Sequence, residues 1–77
     1  MRVVSRDGCI NVPYEGNMFC LIHDEEHEKH EIVVRTPSFT GYMELASYDT
    51  LEEAKDSFED MAQAGAITMQ NTAYYLT

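Results

Sequence analysis

Positive charge is scarce in this sequence. Five Lys and Arg stand against 14 Asp and Glu over 77 residues, a net charge of −9. A chain so poor in cations excludes nucleic acid and anionic membranes as direct ligands and points to basic protein surfaces as partners. Long apolar runs are missing too, none approaching the ~18 residues a membrane span requires. Cysteine is limited to Cys9 and Cys20, with no C-x-x-C, so neither a zinc knuckle nor a thioredoxin-type site is available. The opening Met1-Arg2-Val3-Val4-Ser5-Arg6-Asp7-Gly8 reaches a turn signal too early for a secretory h-region. The expectation is a cytoplasmic protein whose two thiols are small buried hydrophobes in a reducing compartment.

Catalytic signatures are equally sparse. There is no G-x-S-x-G, no Gly-rich phosphate loop and no Walker lysine, with Lys29 and Lys55 the only lysines. Carboxylates are plentiful but sit in polar stretches, where the shifted pKa values of acid–base catalysis are not sustained. No enzyme and no cofactor are expected.

With 44% apolar and 10% aromatic residues, the chain has enough to fold. Its length allows one domain, residues 1–77, burying about 60% of the surface it exposes unfolded. Arg2–Ser5 and Cys9–Val12 are β-prone runs around Asp7-Gly8, predicting a hairpin over 2–12, with Pro13 ending the pairing or lying at an edge. Met18–His23, the most apolar run, predicts a strand covered on both faces and central in its sheet. A strand over 30–36 follows a polar tip, and a third over 42–48 alternates, with Met43 and Leu45 on one face and Tyr42, Glu44 and Tyr48 on the other.

Thr50-x-x-Glu53 is a capping box opening a helix over 50–64. Leu51, Ala54, Phe58, Met61 and Ala62 share an arc of about 100°, while Glu52, Glu53, Asp56, Glu59 and Asp60 face away. Gly65 reads as a left-handed stop, and 66–77 as a further edge strand or tail. These parts predict an α+β fold, a small antiparallel sheet of three to five strands with one amphipathic helix packed on one face.

Most of the acidity falls in two segments. Residues 24–31 hold five acids and Lys29, and the helix holds five acids and Lys55, so each segment carries −4 of the total −9. Five carboxylates along roughly 12 Å of helix approach the charge density of a duplex backbone, one charge per ~1.7 Å. The bland account is a solvated helix face. The sharper one makes Glu52, Glu53, Asp56, Glu59 and Asp60, extended by Asp24, Glu25, Glu26 and Glu28, the contact surface for a cationic groove.

His23, His27 and His30 lie at i, i+4 and i+7 and would share a face only if that stretch were helical. A hairpin separates them, placing His23 and His30 across the strand ends and His27 on the tip, and a solvated turn outweighs a metal site. Tyr14, Tyr42, Tyr48, Tyr74 and Tyr75 exceed what a one-helix core can bury, so some should line the open sheet face. That suggests a structural or assembly module forming homo-oligomers through the tyrosine-bearing face or an exposed edge.

Residues 1–15, Met1-Arg2-Val3-Val4-Ser5-Arg6-Asp7-Gly8-Cys9-Ile10-Asn11-Val12-Pro13-Tyr14-Glu15, resemble the opening of small proteins encoded by phages and prophages of Gram-positive bacteria. Tyr48-Asp49-Thr50-Leu51-Glu52-Glu53-Ala54 is similar to their strand-to-helix junction. The resemblance does not extend to Met18–Met43 and carries no functional residue across. What it implies is a bacterial host cell and the setting of small acidic phage proteins that disable host defences, anti-CRISPR proteins among them. The partner it implies is a CRISPR effector nuclease or another nucleic-acid-binding host protein.

Overall fold

The computed structural model describes residues 1–37, 40–67 and 72–77. Within them the chain runs β1 (Arg2–Val4), β2 (Asn11–Pro13), β3 (Met18–Asp24), β4 (Lys29–Arg35), β5 (Met43–Tyr48), α1 (Leu51–Ile67) and β6 (Ala73–Tyr75). The α+β class follows as expected. The antiparallel sheet β3-β4-β5 carries α1 on one face, and the ends of the chain add a second sheet in the order β2-β1-β6. In that second sheet β1 pairs antiparallel with β2 and parallel with β6.

The N-terminal hairpin forms, but its loop runs from Ser5 to Ile10 and is built around a side chain. The buried Ser5 hydroxyl donates to Asp7 Oδ1 at 2.6 Å and accepts the Ile10 amide at 2.9 Å. Asp7 Oδ1 also accepts the Cys9 amide at 2.9 Å, and Gly8 takes φ +78° to close the turn. Strand β2 therefore begins at Asn11, and Pro13 sits on an edge strand where its missing N–H costs no ladder bond.

Strand β3 corrects a prediction. It is an edge strand, and none of its residues is buried. The central strand is β4, whose Ile32, Val33 and Val34 are at most 1% exposed. The unbroken apolar run of β3 arises because both of its faces carry apolar side chains, although neither is fully buried. Phe19 and Leu21 pack on the core, whereas Met18, Cys20 and Ile22 alternate to the outer face.

Strand β5 departs from simple alternation. Val33 lies opposite Glu44 but Ile32 opposite Ala46, so Leu45 is an extra residue in a β-bulge. The bulge shifts the later side chains by one, and Ala46 and Tyr48 turn into the core with Leu45. Tyr48 is 5% exposed, not on the solvent face as strict alternation predicted.

Helix α1 uses its expected cap. The Glu53 amide donates to Thr50 Oγ1 at 3.2 Å, and the Thr50 hydroxyl donates back to the Glu53 carboxylate at 2.9 Å. Ala54 and Met61 are buried against Ile32, Val34, Leu45 and Tyr48, with Phe58 and Ala64 packed alongside. Fully burying side chains such as Ile32 and Met61 contributes about 1.5–3 kcal/mol each. Leu51 is not among them; it is 48% exposed because the first turn extends beyond the sheet and the core begins at Ala54.

Gly65 does not stop the helix, which continues to Ile67. A Cβ there would lie 2.5 Å from the Tyr14 ring, so the glycine is a notch into which Tyr14 fits. Tyr14 in turn stacks on Phe19, centroids 5.5 Å apart, joining the N-terminal sheet to β3. Of the strand expected after the helix, Ala66 and Ile67 are helical and residues 68–71 lie outside the described residues. The tail is docked: β6 pairs with β1 and Leu76 is 3% exposed.

Candidate functional site

The β3–β4 hairpin ends in a tip that the local sequence closes unaided. Asp24 Oδ1 accepts the amides of Glu26 and His27 at 3.1 and 3.4 Å, and Asp24 Oδ2 meets His27 Nδ1 at 2.9 Å. These bonds, that to the His27 side chain first, hold the Asp24 carboxyl below its ordinary value. Glu28 completes the turn at φ 52°, a left-handed conformation uncommon for a side chain of its length. Glu25, Glu26 and Glu28 are exposed, and Asp24 is half-buried.

The register brings this tip beside the helix. His30 pairs with Tyr48, so the hairpin tip and the start of α1 occupy the same end of the sheet. Lys29 pairs with Asp49 there, and that contact lowers the Asp49 carboxyl. The two segments that each carry −4 thus approach the same end of the sheet. Of the helix acids, Glu53 is occupied by the cap and Asp60 accepts the Tyr74 hydroxyl at 2.5 Å. Burial, then the Asp60 carboxylate beside it, pushes the Tyr74 phenol up to about 12. Glu52, Asp56 and Glu59 are exposed, and their carboxylates form no ion pair or hydrogen bond among the described residues. At spacings of four and three they project from one side of the helix over about 10 Å.

The histidines divide as the hairpin predicted. His23 and His30 are cross-strand neighbours with stacked rings, centroids 4.6 Å apart, while His27 is bound to Asp24 on the tip. The described residues contain no group of three His, Cys, Asp or Glu side chains able to hold a metal ion. Two cysteines remain free thiols: Cys9 is exposed and Cys20 half-buried, so neither is the buried hydrophobe expected.

The tyrosines require a correction. Tyr14, Tyr48 and Tyr74 pack against the core, and only Tyr42 and Tyr75 of the five are exposed. The sheet face away from the helix carries exposed Met18, half-buried Cys20 and Ile22, and buried Val33, bordered by Glu31 and Glu44. Partial burial, then the adjacent Glu44 carboxyl, raises the Glu31 carboxyl. Sequence patterning missed this pair because the two acids are far apart along the chain and only the bulged register places them together. It also missed Arg6, whose guanidinium donates to Ser47 O at 2.7 Å and Thr77 O at 3.0 Å and lies 4.4 Å over the Tyr48 ring.

The chain matches no family model, no curated protein and no solved structure. Among the described residues no helix is long and apolar enough to cross a membrane. The site stands on its own geometry, an anionic end and helix face on a small α+β scaffold.

Proposed function

We propose that this chain is a non-catalytic binding protein that occupies the nucleic-acid groove of a basic partner through its acidic helix. The observation that carries the reading is the row Glu52, Asp56 and Glu59, exposed and unpaired among the described residues, whose N-terminal end lies towards the same end of the sheet as the acidic hairpin tip. Carboxylates engaged in no internal bond lose nothing of the fold when they bind Lys and Arg. Counterion release then favours the complex much as it favours nucleic acid itself. In the phage setting that the sequence resemblance implies, the partner is a host defence nuclease, a CRISPR effector among them, and binding inhibits it.

The test is capture of partners from bacterial lysate by the parent chain and by Glu52→Lys/Asp56→Lys/Glu59→Lys. The expected result is retention of nucleic-acid-binding proteins by the parent alone, with release by duplex DNA or by about 0.5 M salt. Equal capture by both chains, indifferent to salt, overturns the electrostatic mechanism.

A further inference from the structure

The outer edge of β3 is open. Its seven residues, Met18-Phe19-Cys20-Leu21-Ile22-His23-Asp24, pair with β4 alone, and no other backbone hydrogen bond reaches them among the described residues. Alternate N–H and C=O groups along this edge, about three or four of each, face outward without a partner among the described residues. The usual devices that blunt an edge are missing from it: no proline, no lysine, no bulge.

The other edges are partly covered or short. Beyond β5, the Arg6 amide donates to Leu45 O at 2.9 Å and the Arg6 guanidinium to Ser47 O. In the second sheet both edge strands are three residues long, and one of them ends in Pro13. With one long open edge among the described residues, each molecule favours a closed pair over a growing fibre.

We infer that β3 is a self-pairing surface and that its partner is a second copy of this chain, joined antiparallel about a dyad at Leu21. Leu21 then faces Leu21 of the second copy, Cys20 faces Ile22, and Met18 faces Asp24. On the outer face this brings apolar neighbours together and makes one six-stranded sheet.

Charge selects the antiparallel arrangement. A groove of about 510 Å³ opens at the start of β3, lined by Gly16, Asn17, Met18, Arg35, Thr36 and Pro37. Arg35 is exposed and forms no ion pair among the described residues. Antiparallel pairing carries the acidic tip of the second copy, beginning at Asp24, to this cationic groove, and the symmetry repeats the contact at the other end. Parallel pairing would set the two acidic tips side by side. The interface does not use the helix acids, so it stands or falls apart from the function proposed above.

Sedimentation equilibrium combined with amide hydrogen exchange tests the inference. An edge-only interface is small, so the mass should rise from monomer towards dimer between about 1 and 100 µM. Over the same range the outward amides of β3 should slow in exchange while those of β5 do not change. Arg35→Glu, at an exposed site, should weaken the dimer about tenfold, since it acts at both ends. Glu52→Lys/Asp56→Lys/Glu59→Lys should dimerise no less than the parent. A monomer at every concentration overturns the inference, as does a dimer with β3 exchange unchanged. A dimer indifferent to Arg35→Glu overturns the antiparallel register.

Discussion

The hairpin tip and the helix face carry the same net charge, and each commits part of it to the fold in its own way. At the tip one carboxylate, Asp24, is spent on the fold, while those of Glu25, Glu26 and Glu28 are exposed and bond to nothing among the described residues. Asp24 gathers two backbone amides and His27, and Lys29 is drawn to Asp49. On the helix, Glu53 and Asp60 serve the cap and Tyr74, but the carboxylates of Glu52, Asp56 and Glu59 bond to nothing among the described residues. Net charge therefore does not measure availability. A carboxylate already satisfied by its own chain must give up those bonds to meet a partner, whereas an unpaired one exchanges only water and counterions.

Reversal of charge separates the two segments most sharply. Glu52→Lys/Asp56→Lys/Glu59→Lys should weaken partner binding by about 100-fold or more, the scale expected when several interfacial charge pairs turn repulsive together. Reversal of Glu25 and Glu26 should cost about tenfold by the same measure, with far-UV CD unchanged in both. Equal losses in a titration of the two variants would erase the distinction between tip and helix.

Gly65→Ala comes next, through stability. Alanine is the better helix former by ~1 kcal/mol. Against that gain, the added methyl would meet the Tyr14 ring at 2.5 Å. Overpacking of this kind costs typically 1–3 kcal/mol, so a net loss read as a Tm drop of several degrees is expected. A raised Tm would show that Tyr14 is not seated in the notch and that the C-terminal half of the acidic helix is free of it.

A smaller effect belongs to the tip. Because Asp24 titrates below its ordinary value of 3.8 when folded, its contribution is present above that value and disappears as pH falls through the lowered one. Asp24→Asn should therefore reduce the parent's acid-side loss of stability between about pH 5 and pH 2, measured by thermal melts. Unchanged pH dependence would mean that the tip charge is as idle as that of the helix.

The smallest effect has the opposite sign. Glu31 titrates above its ordinary value of 4.5, so its ionised form opposes folding at neutral pH, and protonation relieves the penalty. Glu31→Gln should raise Tm by about 1–2 °C at pH 7 and by less near pH 4. A fall in Tm at pH 7 would place the Glu31 carboxylate among the satisfied acids, with Asp24.

Much of the fold was legible because its signals are local. The Asp7-Gly8 turn, the Thr50 cap, the hairpin around residues 25–28 and the inward arc of Ala54, Phe58 and Met61 each depend on neighbours a few residues away. Where the reading failed, a distant partner decided the outcome. Gly65 looked like a helix stop because its notch is filled by Tyr14. Tyr48 looked solvent-facing because the bulge at Leu45 exists only against β4. The run Met18–Ile22 looked central because hydrophobicity does not say whether a second layer covers it. The candidate acids were visible from composition alone, but which of them are engaged was not, since Tyr74 reaches Asp60 from 14 residues away.

The amino-acid sequence by itself determined that this protein is acidic and α+β, with its charge in one hairpin tip and one helix face. Charge and hydrophobic period are properties of residues and short windows, and folding does not alter them. Tertiary structure alone decided that the two acidic segments approach one end of the sheet and that, among the described residues, Glu52, Asp56 and Glu59 stay unpaired and β3 is left with an open edge. Register, burial and pairing are relations between residues far apart in the chain, and they take their values only when the whole chain packs.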